Sequence, residues 1–165
     1  MSQSKQAKIE LFKEAMKFSA GHFTIFSATE RENLHGHNFT VHVEFTAPVA
    51  GNGMTVDYRK TRQKLIDLCR SLNEIVLLPA QCPHLRIQSD DKRITAYFAD
   101  EELIFLKRDV MLLPLRNVTI EELASYLLDI VVAEMAEESD NRVTKVAVRV
   151  FSGPGQSARV RWMSS

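Results

Sequence analysis

The clearest periodic signal in the chain begins at His35, after which His37, Phe39, Val41, Val43 and Phe45 fall on one parity and Asn38, Thr40, His42 and Glu44 on the other. Such alternation marks a strand with one buried face. Upstream, residues 8–20 (KIELFKEAMKFSA) combine alternation with helix-forming residues and are read as a strand. Gly51-Asn52-Gly53 turns the chain, and Asp57 is placed to cap a helix over about 58–72, where Leu65, Leu68, Cys69 and Leu72 recur at helical spacing. Residues 80–114 carry turn signals at Ser89-Asp90-Asp91 and Ala99-Asp100-Glu101 between short apolar runs, which predicts an inserted hairpin or meander. The best-specified helix start is Thr119, with Glu122 as its capping-box partner and Val118 and Leu123 as a hydrophobic staple; the helix runs to about 137. Val146, Val148 and Val150 alternate in a further strand, Ser152-Gly153-Pro154-Gly155 breaks it, and Ser157–Met163 supplies a partner. The order ββα–insertion–αββ predicts an α+β fold over a single domain, 1–165, with an antiparallel sheet and two helices on one face.

Composition narrows the function. The 165 residues are 45% hydrophobic and 25% charged, an ordinary globular mixture that excludes a disordered or fibrous chain. Twenty-one basic residues balance twenty-one acidic ones, so no overall field favours nucleic acid or an anionic membrane as partner. No stretch has the roughly 20 apolar residues of a membrane span, and residues 1–8 are polar, so the expected location is cytoplasmic. Cys69 and Cys82 are too few for a disulfide framework and are not spaced as a metal pair.

The chemistry concentrates in His22 and His35-Gly36-His37. On a strand, positions i and i+2 face the same way, so His35 and His37 can present two imidazoles to one point, and Gly36 between them leaves room for close approach. His22, at the end of the preceding strand, can complete the set. Three histidines with an open fourth position describe a catalytic zinc site, whereas ordinary polar histidines remain the simpler reading of H-x-H alone. His42 has the opposite parity and His84 follows Pro83 in a loop, so both are read as structural.

Three motifs sharpen this: Phe18-Ser19-Ala20-Gly21-His22-Phe23, Leu34-His35-Gly36-His37-Asn38-Phe39 and Gly53-Met54-Thr55-Val56-Asp57-Tyr58. Together they resemble the 6-pyruvoyltetrahydropterin synthase and 6-carboxytetrahydropterin synthase family, in order over nearly the whole chain. The resemblance implies a tunnelling fold whose sheets join into a barrel by oligomerisation, as a homo-trimer or hexamer with sites at subunit junctions. It also implies Zn²⁺ on His22, His35 and His37, and a pterin triphosphate, 7,8-dihydroneopterin triphosphate, as the small-molecule substrate.

The sequence departs from that family at informative places. The usual cysteine, four residues before the first His of H-G-H, is here Arg31, and the adjacent Glu32 resembles the subgroup in which a glutamate replaces it and the product is 6-hydroxymethyl-dihydropterin. Glu32 is therefore the candidate acid/base, against the alternatives of a solvated loop charge and of Glu30. The Asp-His pair of typical members falls on Asn73-Glu74. The pterin-anchoring glutamate falls on Ser152, with loss of an interaction of about 1.5–3 kcal/mol. Ser152 and Gln156 in the Ser152–Gln156 turn are candidate substrate contacts, or else a plain strand connection, and Thr119 resembles a pterin-contacting threonine beyond its capping role. Lys92, Arg93, Lys107 and Arg108 either meet a triphosphate or form a solvated charged hairpin. The resulting expectation is a zinc-dependent lyase; a non-catalytic metal- and pterin-binding oligomer and a zinc hydrolase on the same scaffold are the alternatives.

Overall fold

The computed structural model describes residues 5–137 and 142–164. Its chain order is β1 (Gln6–Leu11), β2 (Lys17–His22), β3 (His35–Pro48), α1 (Arg59–Ser71), β4 (Ile75–Pro79), β5 (Arg86–Ser89), β6 (Arg93–Phe98), β7 (Glu101–Leu106), β8 (Val110–Leu113), α2 (Ile120–Glu137), β9 (Lys145–Phe151) and β10 (Ser157–Met163). The long strand β3 is the spine of the sheet. Its phase follows the apolar pattern, since Phe39, Val41, Val43, Phe45 and Ala47 are all buried.

The segment read as one strand over 8–20 is two. A turn closed by the Met16 N–H on the Lys13 carbonyl at 2.8 Å separates β1 from β2. Both then pair antiparallel with β3, β1 along Val43–Pro48 and β2 along His35–Thr40. On the opposite edge of β3 lie β9 and then β10, both antiparallel. The sheet is mixed rather than wholly antiparallel: β4 runs parallel to β2, and β8 parallel to β4. Helix α1 carries the chain back across the sheet after β3, so β4 starts from the same end as β2. The strand order is β10-β9-β3-β2-β4-β8. An α+β fold with two helices results.

Both helices bury their apolar stripes in one core with the inward side chains of the sheet: Leu65 and Cys69 from α1, and Leu123, Ala124, Leu127 and Val131 from α2, meet Phe18, Phe39, Val41 and Val148. The N-cap of α1 is Tyr58, without a side-chain cap, and Asp57 stands one residue earlier than a cap would, where its Oδ1 accepts the Arg59 N–H at 3.1 Å. At α2, the Thr119 hydroxyl oxygen accepts the Glu122 N–H at 3.3 Å, and Val118 and Leu123 are fully buried. The return arm of the capping box goes elsewhere: the Glu122 carboxylate takes the Arg116 N–H and guanidinium. Residues 86–106 form a separate three-stranded antiparallel sheet, β5-β6-β7. Its inner face, Ile94, Ala96 and Phe98, packs on Phe23 and Ile25, just beyond β2, and on Leu78, Cys82 and Leu85.

Candidate functional site

The antiparallel register of β2 on β3 sets His22 opposite His35 and Ala20 opposite His37. Because His35 and His37 continue the inward parity of Phe39, all three imidazoles emerge on the helix side of the sheet, at the end of the core beneath the start of α2. Ring centroids lie 4.7 Å (His22–His35), 5.2 Å (His22–His37) and 4.8 Å (His35–His37) apart. Phe39 supports them from below, edge-on to His22 at 5.4 Å and to His37 at 5.9 Å. The tight spot in this register is Gly21 rather than Gly36: a Cβ at Gly21 would press to 3.3 Å from Val76 Cγ2, whereas one at Gly36 would meet the Ala20 carbonyl at an ordinary 3.7 Å.

The hydrogen bonding of the rings fits a metal. His22 Nδ1 donates to the Val118 carbonyl at 2.9 Å and His35 Nδ1 to the Asn33 carbonyl at 2.7 Å, which leaves Nε2 of each unprotonated, as an acceptor. His22 is 5% exposed and its Nε2 has no partner, a vacancy in bonding that costs about 1–3 kcal/mol unless something fills it. His35 Nε2 and His37 Nε2 lie 3.1 Å apart, and one ligand atom from each of the three rings falls within 4.8 Å of the others. Imidazole nitrogens about 2.0–2.1 Å from a tetrahedral zinc lie roughly 3.3 Å from each other, so a modest closure of this set accommodates the ion. Burial pushes the His22 pKa below its ordinary value, aided by the neighbouring imidazoles and only partly countered by the Val118 carbonyl. The ring is thereby kept in the neutral form that ligates.

Glu32 stands on the loop 23–34 that joins β2 to β3. Backbone bonds pull this loop into a narrow hairpin: the Glu32 N–H donates to the Thr24 carbonyl at 2.8 Å, and the Phe26 N–H to the Glu30 carbonyl at 2.9 Å. The Glu32 carboxylate turns inward and accepts the Thr24 N–H at 2.9 Å. Burial alone raises its pKa, but hydrogen bonds from Thr24 and the adjacent imidazoles outweigh that and hold it below its ordinary value. The carboxylate is ionised at neutral pH. Asn117 staples the loop to the start of α2, its Nδ2 donating to the Ile25 carbonyl at 2.8 Å and its Oδ1 accepting the Ile25 N–H at 3.1 Å.

A single cavity of about 330 Å³ collects the residues singled out from sequence: His22, His35, His37, Glu32, Thr119, Ser152 and Gln156. That volume is in the range of small-molecule sites. Thr24, Phe26, Ile120 and Glu121 complete its wall and were not anticipated. The first two continue the alternation His22, Thr24, Phe26, and Glu121 follows the Thr119 cap in the first turn of α2, so the signal was present in the spacing. The cavity thus holds a second carboxylate, while Ser152 offers none. Glu74 lies instead on a neighbouring cavity of about 410 Å³ that shares only His37 with the histidine set. Lys92, Lys107 and Arg108 line a surface depression on the meander and not the histidine cavity. Cys69 is fully buried, and burial pushes its thiol up to about 12; it is an unreactive core residue. His42 faces away, between Phe12 and Phe151.

Known proteins agree with this architecture. The 6-pyruvoyl tetrahydropterin synthase of Plasmodium vivax superposes with a TM-score of 0.89 at 26% identity, over 97% of this chain and 99% of that one. The Plasmodium falciparum enzyme of the same name gives 0.88 at 25% identity over 96% and 99%. A Methanocaldococcus jannaschii protein provisionally named 6-carboxy-5,6,7,8-tetrahydropterin synthase is 25% identical over 147 residues, 88% of this chain and 90% of its own. A variant of the P. vivax protein is described as replacing a catalytic glutamate by alanine. The profile of the 6-pyruvoyl tetrahydropterin synthase family matches residues 10–162, and the chain therefore belongs to that family.

Proposed function

We propose that this protein is a zinc-dependent lyase acting on the side chain of 7,8-dihydroneopterin triphosphate, with Glu32 as acid/base. The observation that carries the reading is the shared cavity: an ionised carboxylate held by Thr24 opens on the same small space as three imidazoles, one with a buried, unpartnered nitrogen. Nε2 atoms of His22, His35 and His37 would hold the ion. When bound, Zn²⁺ supplies Lewis acidity that makes a substrate hydroxyl more acidic. Glu32 takes the proton of a side-chain hydroxyl as the carbon–carbon bond beside it breaks, leaving a carbonyl on the departing fragment, and returns that proton to the carbon that stays on the pterin. Its low pKa keeps it in the receiving form, and its bond to Thr24 fixes the direction of transfer. Thr119, Ser152 and Gln156, which line the same cavity, bind the heterocycle. A catalytic glutamate in the P. vivax relative supports giving the role to a glutamate here.

The active form is a homo-oligomer, trimer or hexamer, in which β10 and β8, the outermost strands of the sheet, are joined to neighbouring copies. Among the described residues no helix is long and apolar enough to cross a membrane. The reading is tested by mass-spectrometric identification of products from 7,8-dihydroneopterin triphosphate with zinc-loaded protein. Multiple turnovers abolished by chelator support it. Tight pterin binding without product points instead to a non-catalytic oligomer, the reading favoured by Ser152 standing in the cavity without a carboxylate.

A further inference from the structure

Arg31 precedes Glu32 and takes no place in the cavity, yet its side chain is tied down by several groups at once. Both Nε and Nη2 contact Glu101 Oε2 at 2.6 Å, and Nη1 donates to the Glu32 carbonyl at 2.8 Å. The guanidinium also lies over two buried rings, 5.0 Å from the Phe23 centroid and 5.9 Å from that of Phe98. Its side chain is 14% exposed. The Glu101 side chain is 49% exposed, so the ion pair alone contributes little, but the guanidinium is sheltered by aromatic faces and shared with a backbone carbonyl, and only a planar fork reaches all three groups at once.

Glu101 begins β7, immediately after the two-residue connection Ala99-Asp100 of the β6–β7 hairpin. Ala99 there has φ 49°, a left-handed conformation that a residue with a Cβ seldom adopts. The tight turn places Glu101 across from Phe98 and against the loop.

We propose that Arg31 is a positioning residue, and that the β5–β7 meander, through Glu101, braces the backbone of Glu32 and so aims its carboxylate into the cavity. The proposal rests on Glu32 being the acid/base. The meander, which packs under Phe23 and Ile25, is then a bracket for the loop rather than a decoration.

The test uses the full-length, zinc-loaded protein. Arg31→Lys and Glu101→Gln each lower kcat by roughly tenfold to a hundredfold, the scale of a small misplacement of a catalytic group, with KM and zinc content unchanged. In a Glu32→Ala background neither substitution lowers the residual rate further. Unchanged kcat, or losses that multiply with that of Glu32→Ala, overturn the proposal. Amide hydrogen exchange provides a readout independent of turnover. Glu101→Gln speeds exchange over residues 24–33, whereas Glu102→Gln, whose residue is paired with Tyr97 on the other face of the hairpin, does not. Equal exchange in the two variants overturns the brace. An exchange difference between the two variants, together with no turnover by the unsubstituted protein, sinks the assignment of function and leaves the brace standing as structure.

Discussion

Replacing Asn117 by alanine removes three hydrogen bonds at the junction between the Glu32 loop and α2: Nδ2 to the Ile25 carbonyl at 2.8 Å, and Oδ1 from the Ile25 N–H and the Val118 N–H, both at 3.1 Å. Each contributes about 0.5–1.5 kcal/mol net. The bond to Val118 joins adjacent residues and survives partly in the unfolded chain, so the two to Ile25 dominate. Ile25 is 6% exposed, and water does not readily replace what its backbone loses. The expected cost is about 2–3 kcal/mol, or roughly 4–12 °C in Tm for a chain of this length. Urea unfolding at fixed protein concentration measures it, since association would otherwise shift the midpoint. Val118 also supplies the carbonyl that orients His22, so zinc affinity falls by roughly tenfold to a hundredfold, as for other partners of metal ligands. A loss below about 0.5 kcal/mol with unchanged zinc affinity would mean that Asn117 does not hold the loop to α2.

Other outcomes follow from the same geometry. Glu32→Gln, which keeps an acceptor for the Thr24 N–H, lowers kcat by roughly a hundredfold to ten-thousandfold with zinc retained, as read by steady-state kinetics and metal analysis. Thr119→Ala removes the cap of α2 and destabilises the protein by about 0.5–2 kcal/mol in denaturant unfolding; if Thr119 also binds the heterocycle, KM rises as well. In chelated protein the depressed pKa of His22 means that the unfolded chain binds a proton which the folded chain refuses. Stability is therefore intact above the ordinary value of 6.5 and is lost as the pH falls below it toward the lower folded value. Glu32 adds a loss of the same sign below 4.5. Thermal melts from pH 8 to 5 with and without His22→Ala isolate the first component, and a variant with an unchanged slope would remove it.

The parts of the site legible in sequence were those set by local periodicity. His35 and His37 two apart on an alternating strand had to share a face, and Thr119 with Glu122 had to start a helix. His22 joined them through register, which its place at the end of the preceding strand suggested. What sequence could not show was long-range. KIELFKEAMKFSA holds no glycine or proline to announce the turn at Lys13–Met16. The short strands β4 and β8 pair in parallel with partners distant in the chain, and apolar runs of four or five residues carry no mark of that pairing. Glu122 was correctly placed as an acid beside the helix start, but Arg116 offered its carboxylate a charged partner and won it from the Thr119 backbone. Thr24 and Phe26 were visible as a continued alternation only once the loop was known to stay extended beyond His22.

The central claim is that three imidazoles hold one catalytic ion beside Glu32. It is tested most directly by titrating Zn²⁺ into chelator-treated protein while following turnover of 7,8-dihydroneopterin triphosphate and bound metal together. The expected result is no turnover without metal, activity rising linearly to a break at about one zinc per chain, and neither binding nor activity in His22→Ala. Full turnover by metal-free protein, or a stoichiometric break that survives His22→Ala, would contradict it.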